Sequence, residues 1–329
     1  MQVHSKQLSN GNDNCEQSLK LVRVSICIAT YKRPHLLQEL LTSLNNLTFS
    51  KISTPIIEII VVDNDSTGSA KTVIEDIKSS SFQWPLKYFI EGNKGVTYAR
   101  NRCINEASSD SDFIAMLDDD ETATPQWLEE LLVSQQQFNA EVVTGPSLAV
   151  YKLNQKVPDW IETGNFYSFP RYETGRKMDT AFTNNVMFST KIIENINEKR
   201  PLFDNRFAKN GAEDAYLFSC LNKQGYKIIW ADDAVLYEPV ADERLSLNWI
   251  LNRGFWSWSV HSFIEAELYP SFKVQSIRAI KGLGLILIGV FTIGPSILLG
   301  KARVARALLR TFRGLGTLSG LLGRQGKWQ

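Results

Sequence analysis

The sequence predicts an α/β protein: a doubly wound, mostly parallel sheet with helices on both faces, followed by a helical, basic tail. Three observations predict it. Apolar runs of strand length alternate with segments whose apolar residues recur at helical spacing, the pattern of a parallel sheet wound by crossover helices. Two of those runs stop abruptly in acidic polar turns, where open α/β sheets place their ligand crevice. The C-terminal stretch then changes character: no Asp or Glu follows Glu267, while ten Lys or Arg lie between Lys273 and Lys327.

Taken in order, Met1 to Lys20 is polar with no apolar core, so it reads as a disordered lead-in and not as a signal peptide. Val22 to Ala29 is a compact apolar strand that runs into Thr30-Tyr31-Lys32-Arg33-Pro34, and proline suits the first turn of a helix. Leu36, Leu37, Leu40, Leu41 and Leu44 follow at helical spacing. Ile56 to Val62 is a second strand, ending in Asp63-Asn64-Asp65-Ser66-Thr67-Gly68, with helical sequence to about Lys78. Leu86 to Ile90 is a third, leading through Gly92-Asn93-Lys94-Gly95 into a helix that carries Ala99, Arg100, Asn101 and Ile104. Phe113 to Leu117 is the fourth; it ends in Asp118-Asp119-Asp120, and a helix runs from Pro125 to Phe138.

Glu141 to about Arg200 is less regular. Pro158-Asp159-Trp160 and Gly164 to Gly175 read as loops, and Thr183 to Phe188 as a polar turn entering a short strand. Lys209 to Asp214 opens a helix that holds Tyr216, Leu217, Phe218 and Leu221. Leu245 to Ala266 is a long helix with Trp249, Phe255, Trp256, Trp258 and His261. Its aromatic residues serve either sugar stacking or packing.

The acidic turns carry the chemistry. Aspartates at the carboxyl end of a strand suit a hard divalent cation shared with substrate phosphates. The same acids also cap helices and complement helix dipoles, a reading that fits one such turn more easily than two. Arg100 reaches either a phosphate or a surface acid. Glu213-Asp214 is either a dipole-stabilised first turn or a source of a general base. Four scattered cysteines without a CxxC pair exclude a zinc-ribbon framework. Cys27 and Cys220 fall inside a strand and a helix, so buried free thiols in a reducing compartment are expected.

Charge is uneven. Of 36 basic and 35 acidic residues, the first 267 positions hold 26 basic and all 35 acidic ones, so the body is acidic and the tail purely cationic. Gly282 to Gly300 has no charge and is just long enough to span a bilayer. Gly294-Pro295 interrupts it, and basic residues flank both ends, so orientation is not readable. A full span, a re-entrant or in-plane segment, and a buried helix stay open. Arg303, Arg306, Arg310 and Arg313 recur at steps of three and four, which predicts a basic amphipathic helix for anionic headgroups. Cationic residues beside an uncharged apolar segment favour a membrane over nucleic acid.

Five motifs then appear in order over roughly residues 22 to 240: Val24-Ser25-Ile26-Cys27-Ile28-Ala29-Thr30-Tyr31-Lys32-Arg33-Pro34, Ile60-Val61-Val62-Asp63-Asn64-Asp65-Ser66, Gly95 to Asn101 with its Ala-Arg-Asn, Leu117-Asp118-Asp119-Asp120, and Gly211-Ala212-Glu213-Asp214. In this order the chain resembles the family 2 glycosyltransferases, closest in flavour to bacterial exopolysaccharide-assembly enzymes of the succinoglycan type. The resemblance implies a GT-A fold with a nucleotide-sugar half over 21–140, an acceptor half over 141–243, and a membrane-associating tail over 244–329. It implies that Thr30, Tyr31, Asp63 and Asn64 surround the base and ribose, with Asn64 standing where the family often has a second Asp. Arg100, Asp118 and Asp119 belong to the donor side. Asp118 and Asp120 match the DxD motif, with Asp120 as the direct ligand of Mg²⁺ or Mn²⁺. Asn184, Asn185 and Trp249 lie toward the acceptor, and Asp214, beside Glu213, is the base of an inverting transfer.

The donor implied is a nucleoside-diphosphate sugar, with UDP-sugars favoured; the acceptor is a saccharide or lipid-linked oligosaccharide. Location follows as the cytoplasmic face of the plasma membrane, peripheral or held by a single segment. The QxxRW signature of processive relatives is missing, and Asn248-Trp249 and Arg253-Gly254-Phe255-Trp256 stand in that region, which favours one sugar per encounter. Two rivals remain. A nucleotidyltransferase would release pyrophosphate, but it usually has a Gly-rich basic loop where Thr30 to Pro34 stand. A non-catalytic sugar-binding or scaffold protein would have no need to keep Asp118, Asp120 and Asp214 together.

Overall fold

The sheet is organised around β1 (Arg23–Thr30), which is apolar along most of its length and buried on both faces, as a central parallel strand requires. The computed structural model describes residues 21–196, 201–209 and 211–324; the lead-in expected at residues 1–20, and Cys15 with it, lies outside them. After β1 come α1 (Pro34–Leu44), β2 (Ile56–Asp63), α2 (Lys71–Ser79), β3 (Leu86–Ile90), α3 (Val96–Glu106), β4 (Phe113–Leu117), β5 (Thr122–Ala123) and α4 (Trp127–Phe138). The chain continues through β6 (Val142–Thr144), β7 (Ser147–Val150), α5 (Asp159–Gly164), β8 (Asn185–Ser189), α6 (Lys191–Asn195), α7 (Glu213–Lys223), β9 (Ile228–Trp230) and β10 (Leu236–Pro239). Three long helices close it: α8 (Leu247–Leu268), α9 (Phe272–Ile297) and α10 (Lys301–Leu321).

A seven-stranded sheet runs β3-β2-β1-β4-β8-β6-β9, and β5-β10-β7 form a second, three-stranded one. The first four strands are parallel, as expected, while β8 is antiparallel to both β4 and β6. Register decides where the polar turns emerge. Thr30 pairs with Asp63 across β1 and β2, and Cys27 pairs with Met116 across β1 and β4. Tyr31, Asn64 and the Asp118 turn therefore leave the sheet at one edge. Leu117 pairs with Asn185, so Thr183 and Asn184 enter β8 at that same edge.

Alternation along the strands separates two apolar cores. Val24, Ile26 and Ile28 pack with Leu37, Leu40, Leu41 and Trp127 on one face, while Cys27, Ile60 and Val62 pack with Ala99, Cys103 and Phe218 on the other. Cys27 and Cys103 are buried free thiols; Cys220, expected to be buried, is only half so because it lies on the flank of α7. Pro158-Asp159-Trp160 was expected as a loop but opens α5, where Ile161 is drawn into a cluster with Ile250, Leu251 and Leu309.

The C-terminal helices form a layer with α10 between α8 and α9. Close approach rests on small residues: a Cβ at Gly316 or Gly320 would run into the α8 backbone at Phe255 or Ser259. The layer is fused to the sheet domain through Val260 and Ile264 of α8, which pack on Phe207 and Ala212 just ahead of α7. The basic amphipathic helix expected around Arg303 to Arg313 is α10, but only part of its basic face is open. Arg306 Nη2 donates to the Gly164 carbonyl at 2.9 Å, and Arg313 lies over the Trp258 ring at 4.4 Å, which leaves Arg303 and Arg310 as the exposed pair. α9 is long and apolar enough to cross a membrane, and most of it is not covered by protein.

Candidate active site

The turn after β4 gathers most of the acids. Asp118 is its most open member, with 42% of the side chain exposed, and its Oδ1 accepts from Arg100 Nη2 at 2.8 Å. Asp119 faces inward: its Oδ2 accepts from Thr30 Oγ1 at 2.7 Å, and Arg33 Nη1 lies 3.4 Å from Oδ1. Asp120 Oδ2 meets Arg33 at 3.0 Å and Arg244 at 3.7 Å. Burial pushes the Asp120 pKa up to about 7; Asp118, Glu238 and Asp119 add to that, and Arg33 opposes it. Glu121 is buried behind the turn. Its Oε2 accepts from the Asp118 amide at 3.1 Å, and its Oε1 accepts from Ser147 Oγ at 2.5 Å and Asn184 Nδ2 at 3.5 Å. Glu121 therefore fixes the turn's shape and links it to the entry of β8.

Asp63 and Asn64 spend their polar atoms on the protein. Asp63 is fully buried and accepts from the amides of Asp65 and Ala70 at 2.9 and 2.8 Å and from the Tyr88 hydroxyl at 3.0 Å. Asn64 Oδ1 accepts from the Gly95 amide at 2.9 Å, while its Nδ2 donates to the carbonyls of Glu91 and Asn93 at 3.1 and 2.6 Å. The two residues build the crevice wall and pin the loop into α3. Tyr31 stands at the mouth, 45% exposed, with the Lys32 ammonium 5.3 Å from its ring centre.

Arg100 joins the two halves. It is buried, bonded through Nη2 to Asp118 and through Nη1 to Glu213 Oε1. Burial works against its charge, but Glu213, Asp118 and Asp214 outweigh that and raise its pKa. Burial likewise pushes the Glu213 carboxyl up to about 7, against Arg100 and with Asp214, and Glu213 Oε2 has no hydrogen-bond partner among the described residues. Ala212, at φ +78°, turns the chain into α7 through a left-handed step. Asp214 is half-buried; its Oδ2 accepts from the amide and hydroxyl of Thr183, each at 3.2 Å, and its Oδ1 accepts from the Ala215 amide at 2.7 Å. Of the two acids, Glu213 is locked to Arg100 and Asp214 is reachable.

Asn185 does not face the crevice, contrary to expectation. It is buried, donates to the carbonyls of Pro146 and Ala234 at 2.9 and 2.8 Å, and accepts from Trp127 Nε1 at 2.9 Å, so every polar atom of its amide is used in joining β8 to its neighbours. Trp249 belongs to a packed aromatic group: it stacks on Tyr167 at 5.9 Å, and Arg244 lies 5.6 Å from its ring centre.

Arg244, Glu238 and Arg253 enter the site without a sequence signal assigning them to it. Arg244 pairs with Glu238 and approaches Asp120. Arg253, on α8, is half-buried, and loss of solvent lowers its pKa to about 10; Glu238, Asp214 and Asp118 act against that and Arg244 with it. Arg253 stands in the region where processive relatives carry QxxRW, and its nearness to acids of both halves depends on the packing of α8. Together these side chains make a crevice with an acidic turn at one end, a reachable carboxylate at the other, and arginines between.

A divalent cation fits the acidic turn. Among the described residues no group of three His, Cys, Asp or Glu has the geometry to hold an ion alone. Asp118 and Asp120 offer oxygen donors only, and burial, with neighbouring acids adding to it, disfavours the Asp120 charge that a cation would relieve. A hard ion held by Asp118 and Asp120 would need further oxygen ligands, such as phosphate oxygens or water.

Comparison with known proteins gives concordant results. A model described as glycosyl transferase family 2 matches residues 25–196. The chain is 30% identical over 305 residues to "Succinoglycan biosynthesis protein ExoM" of Rhizobium meliloti, covering 92% of this chain and 94% of that one. It is 22% identical over 214 residues to the "Glucosyl-dolichyl phosphate glucuronosyltransferase" of Haloferax volcanii, covering 60% and 64% of the two. The solved structure of a mannosyltransferase, PcManGT from Pyrobaculum calidifontis in complex with GDP-Man and Mn²⁺, has a TM-score of 0.62 at 14% identity, covering 93% of this chain and 89% of that one, and so shares its fold.

Proposed function

The chain belongs to glycosyl transferase family 2, and from that premise we propose that it moves one sugar from a nucleoside-diphosphate sugar onto a saccharide or lipid-linked acceptor in exopolysaccharide assembly. It is a glycosyltransferase; the substrates, the residue roles and the inverting course are the proposal. UDP-sugars are the favoured donors. The observation that carries the reading is Arg100, which ties Asp118 of the acidic turn to Glu213 and so sets Asp214 at the same crevice.

In this reading residues 21–140 hold the donor and 141–243 the acceptor. Tyr31 stands beside the base at the mouth, Asp63 and Asn64 hold the wall around base and ribose, and Thr30 and Asp119 fix the turn beneath the diphosphate. Asp118 and Asp120 would hold Mg²⁺ or Mn²⁺, which supplies charge neutralisation to the departing diphosphate. A sugar hydroxyl is a weak nucleophile, so Asp214 takes its proton as the oxygen attacks the anomeric carbon. The bond from that carbon to the diphosphate oxygen breaks on the opposite face, and the configuration inverts. Thr183 orients the Asp214 carboxylate, Asn184 borders the acceptor side, and Trp249 shapes it through its stack with Tyr167. Arg244 and Arg253 add positive charge close to the acids. The lack of QxxRW supports one sugar per encounter.

An acceptor carried on a lipid gives the α9 face its use, with the enzyme held at an anionic cytoplasmic membrane surface. The test is incubation with a panel of nucleotide sugars and Mn²⁺ or Mg²⁺, reading released nucleoside diphosphate. Release with at least one donor, abolished by chelation, is expected; pyrophosphate as the product would overturn the reading.

A further inference from the structure

α9 leaves a stripe of large apolar side chains uncovered. Ile280, Leu283, Leu287 and Phe291 are 68, 51, 56 and 76% exposed, and steps of three and four place them on one face. The stripe continues to Ile297 and Leu298, 66 and 89% exposed, where the chain turns at Gly300 into α10. At this corner a cavity of about 210 Å³ opens between the helices, with Pro295 and Leu299 on its apolar side and Arg303, Arg306 and Arg310 around the rest. Among the described residues no carboxylate pairs with any of the three, and no acid follows Glu267 in the chain. Arg306 keeps a bond to the Gly164 carbonyl, and Thr292 turns its hydroxyl onto the Ile288 carbonyl at 2.7 Å, so the donors left to the cavity are guanidinium groups and the Ser296 hydroxyl. The fourth arginine of the run, Arg313, is turned away over Trp258.

We propose that this cavity binds the phosphate of an anionic membrane phospholipid while the α9 stripe lies in the acyl layer. Planar guanidinium forks match phosphate oxygens, and three of them meeting without a counter-charge leave an anion to complete the set. The cavity borders the apolar stripe where α9 gives way to α10, and guanidinium groups beside an embedded apolar face meet headgroup phosphates. The inference rests on the membrane placement proposed above and is independent of the transfer reaction.

The test uses full-length protein sedimented with vesicles of phosphatidylcholine alone, of equimolar phosphatidylcholine and phosphatidylglycerol, and of phosphatidylcholine carrying a polyprenyl phosphate at matched surface charge. The triple variant R303K/R306K/R310K keeps every charge and loses the forks. Wild type is expected to prefer phosphatidylglycerol vesicles, and the lysine variant to bind them about tenfold more weakly. Equal binding of the two would show diffuse charge attraction and overturn the site, and so would binding that requires the polyprenyl phosphate. Should the triple variant fail to fold, R310K at its exposed position is expected to weaken binding in the same direction, and no change there would count against the site. Donor turnover measured in parallel in detergent is expected to be the same for wild type and variant; its absence from both would refute the transferase reading and leave the lipid result standing.

Discussion

Asp120 and Glu213 show how environment sorts chemically similar side chains. Asp120 is crowded by other acids and faces two arginines, and in its proposed role as a cation ligand it would work only when charged. Asp120→Asn preserves shape and removes that charge, so turnover is expected to fall by roughly 10²–10³ with an unchanged circular dichroism spectrum; near-normal activity that still needs metal would remove Asp120 from the site. Glu213 is read by pH. Its carboxyl loses a proton near 4.5 when unfolded and near 7 in the folded crevice, where burial disfavours the charge. Between those values the folded chain keeps a proton that the unfolded chain has released, so this group's stabilisation is complete below 4.5 and is lost as pH rises through 7. Glu213→Gln should flatten that part of the melting-temperature profile, and a steeper fall in the variant would contradict the assignment. Legibility differed between residues for physical reasons. Asp118 to Asp120 were legible because consecutive carboxylates ended an apolar run. Asn185 was not, because its role depends on Trp127, 58 positions away in the chain.

Elements were legible where they were long and locally marked. β1, β2 and β4 are continuous apolar runs, and Pro34 announces α1 at its first turn. β6 and β9 have three residues each and β5 has two, too few to show a period, and their pairing partners are distant in sequence. The arginine spacing in α10 fitted a surface helix equally well, and only the glycines carried the other reading: Gly316 and Gly320 are the positions where α8 comes within backbone distance. Gly316→Val should therefore cost about 1–3 kcal/mol of stability by overpacking that contact. Because α8 carries Arg253 and packs beside α7, turnover should fall with it. Denaturant unfolding of the purified variant checks this, and an unchanged midpoint would mean that α10 does not pack as described.

At the scale of the whole molecule, composition announced a boundary between an acidic body and a cationic, apolar tail, and packing shows how they are joined. α9 turns its apolar stripe outward, whereas α8 and α10 turn inward onto α7 and α5. Leu287→Ser with Phe291→Ser should reduce vesicle binding even at high salt, where charge attraction is screened; binding that stays intact under those conditions would take the stripe out of the membrane account. Glu213 is the partner of Arg100, and Thr183 donates to Asp214, the residue proposed as the base, in the crevice where both halves of the sheet domain meet. The most direct test of that proposal compares Asp214→Asn with Glu213→Gln, measuring sugar transfer alongside donor affinity by titration calorimetry. Asp214→Asn is expected to abolish transfer while donor affinity stays within about twofold, since a lost base acts on the acceptor step alone; Glu213→Gln is expected to be milder in transfer. Transfer surviving in Asp214→Asn and collapsing in Glu213→Gln would contradict the account.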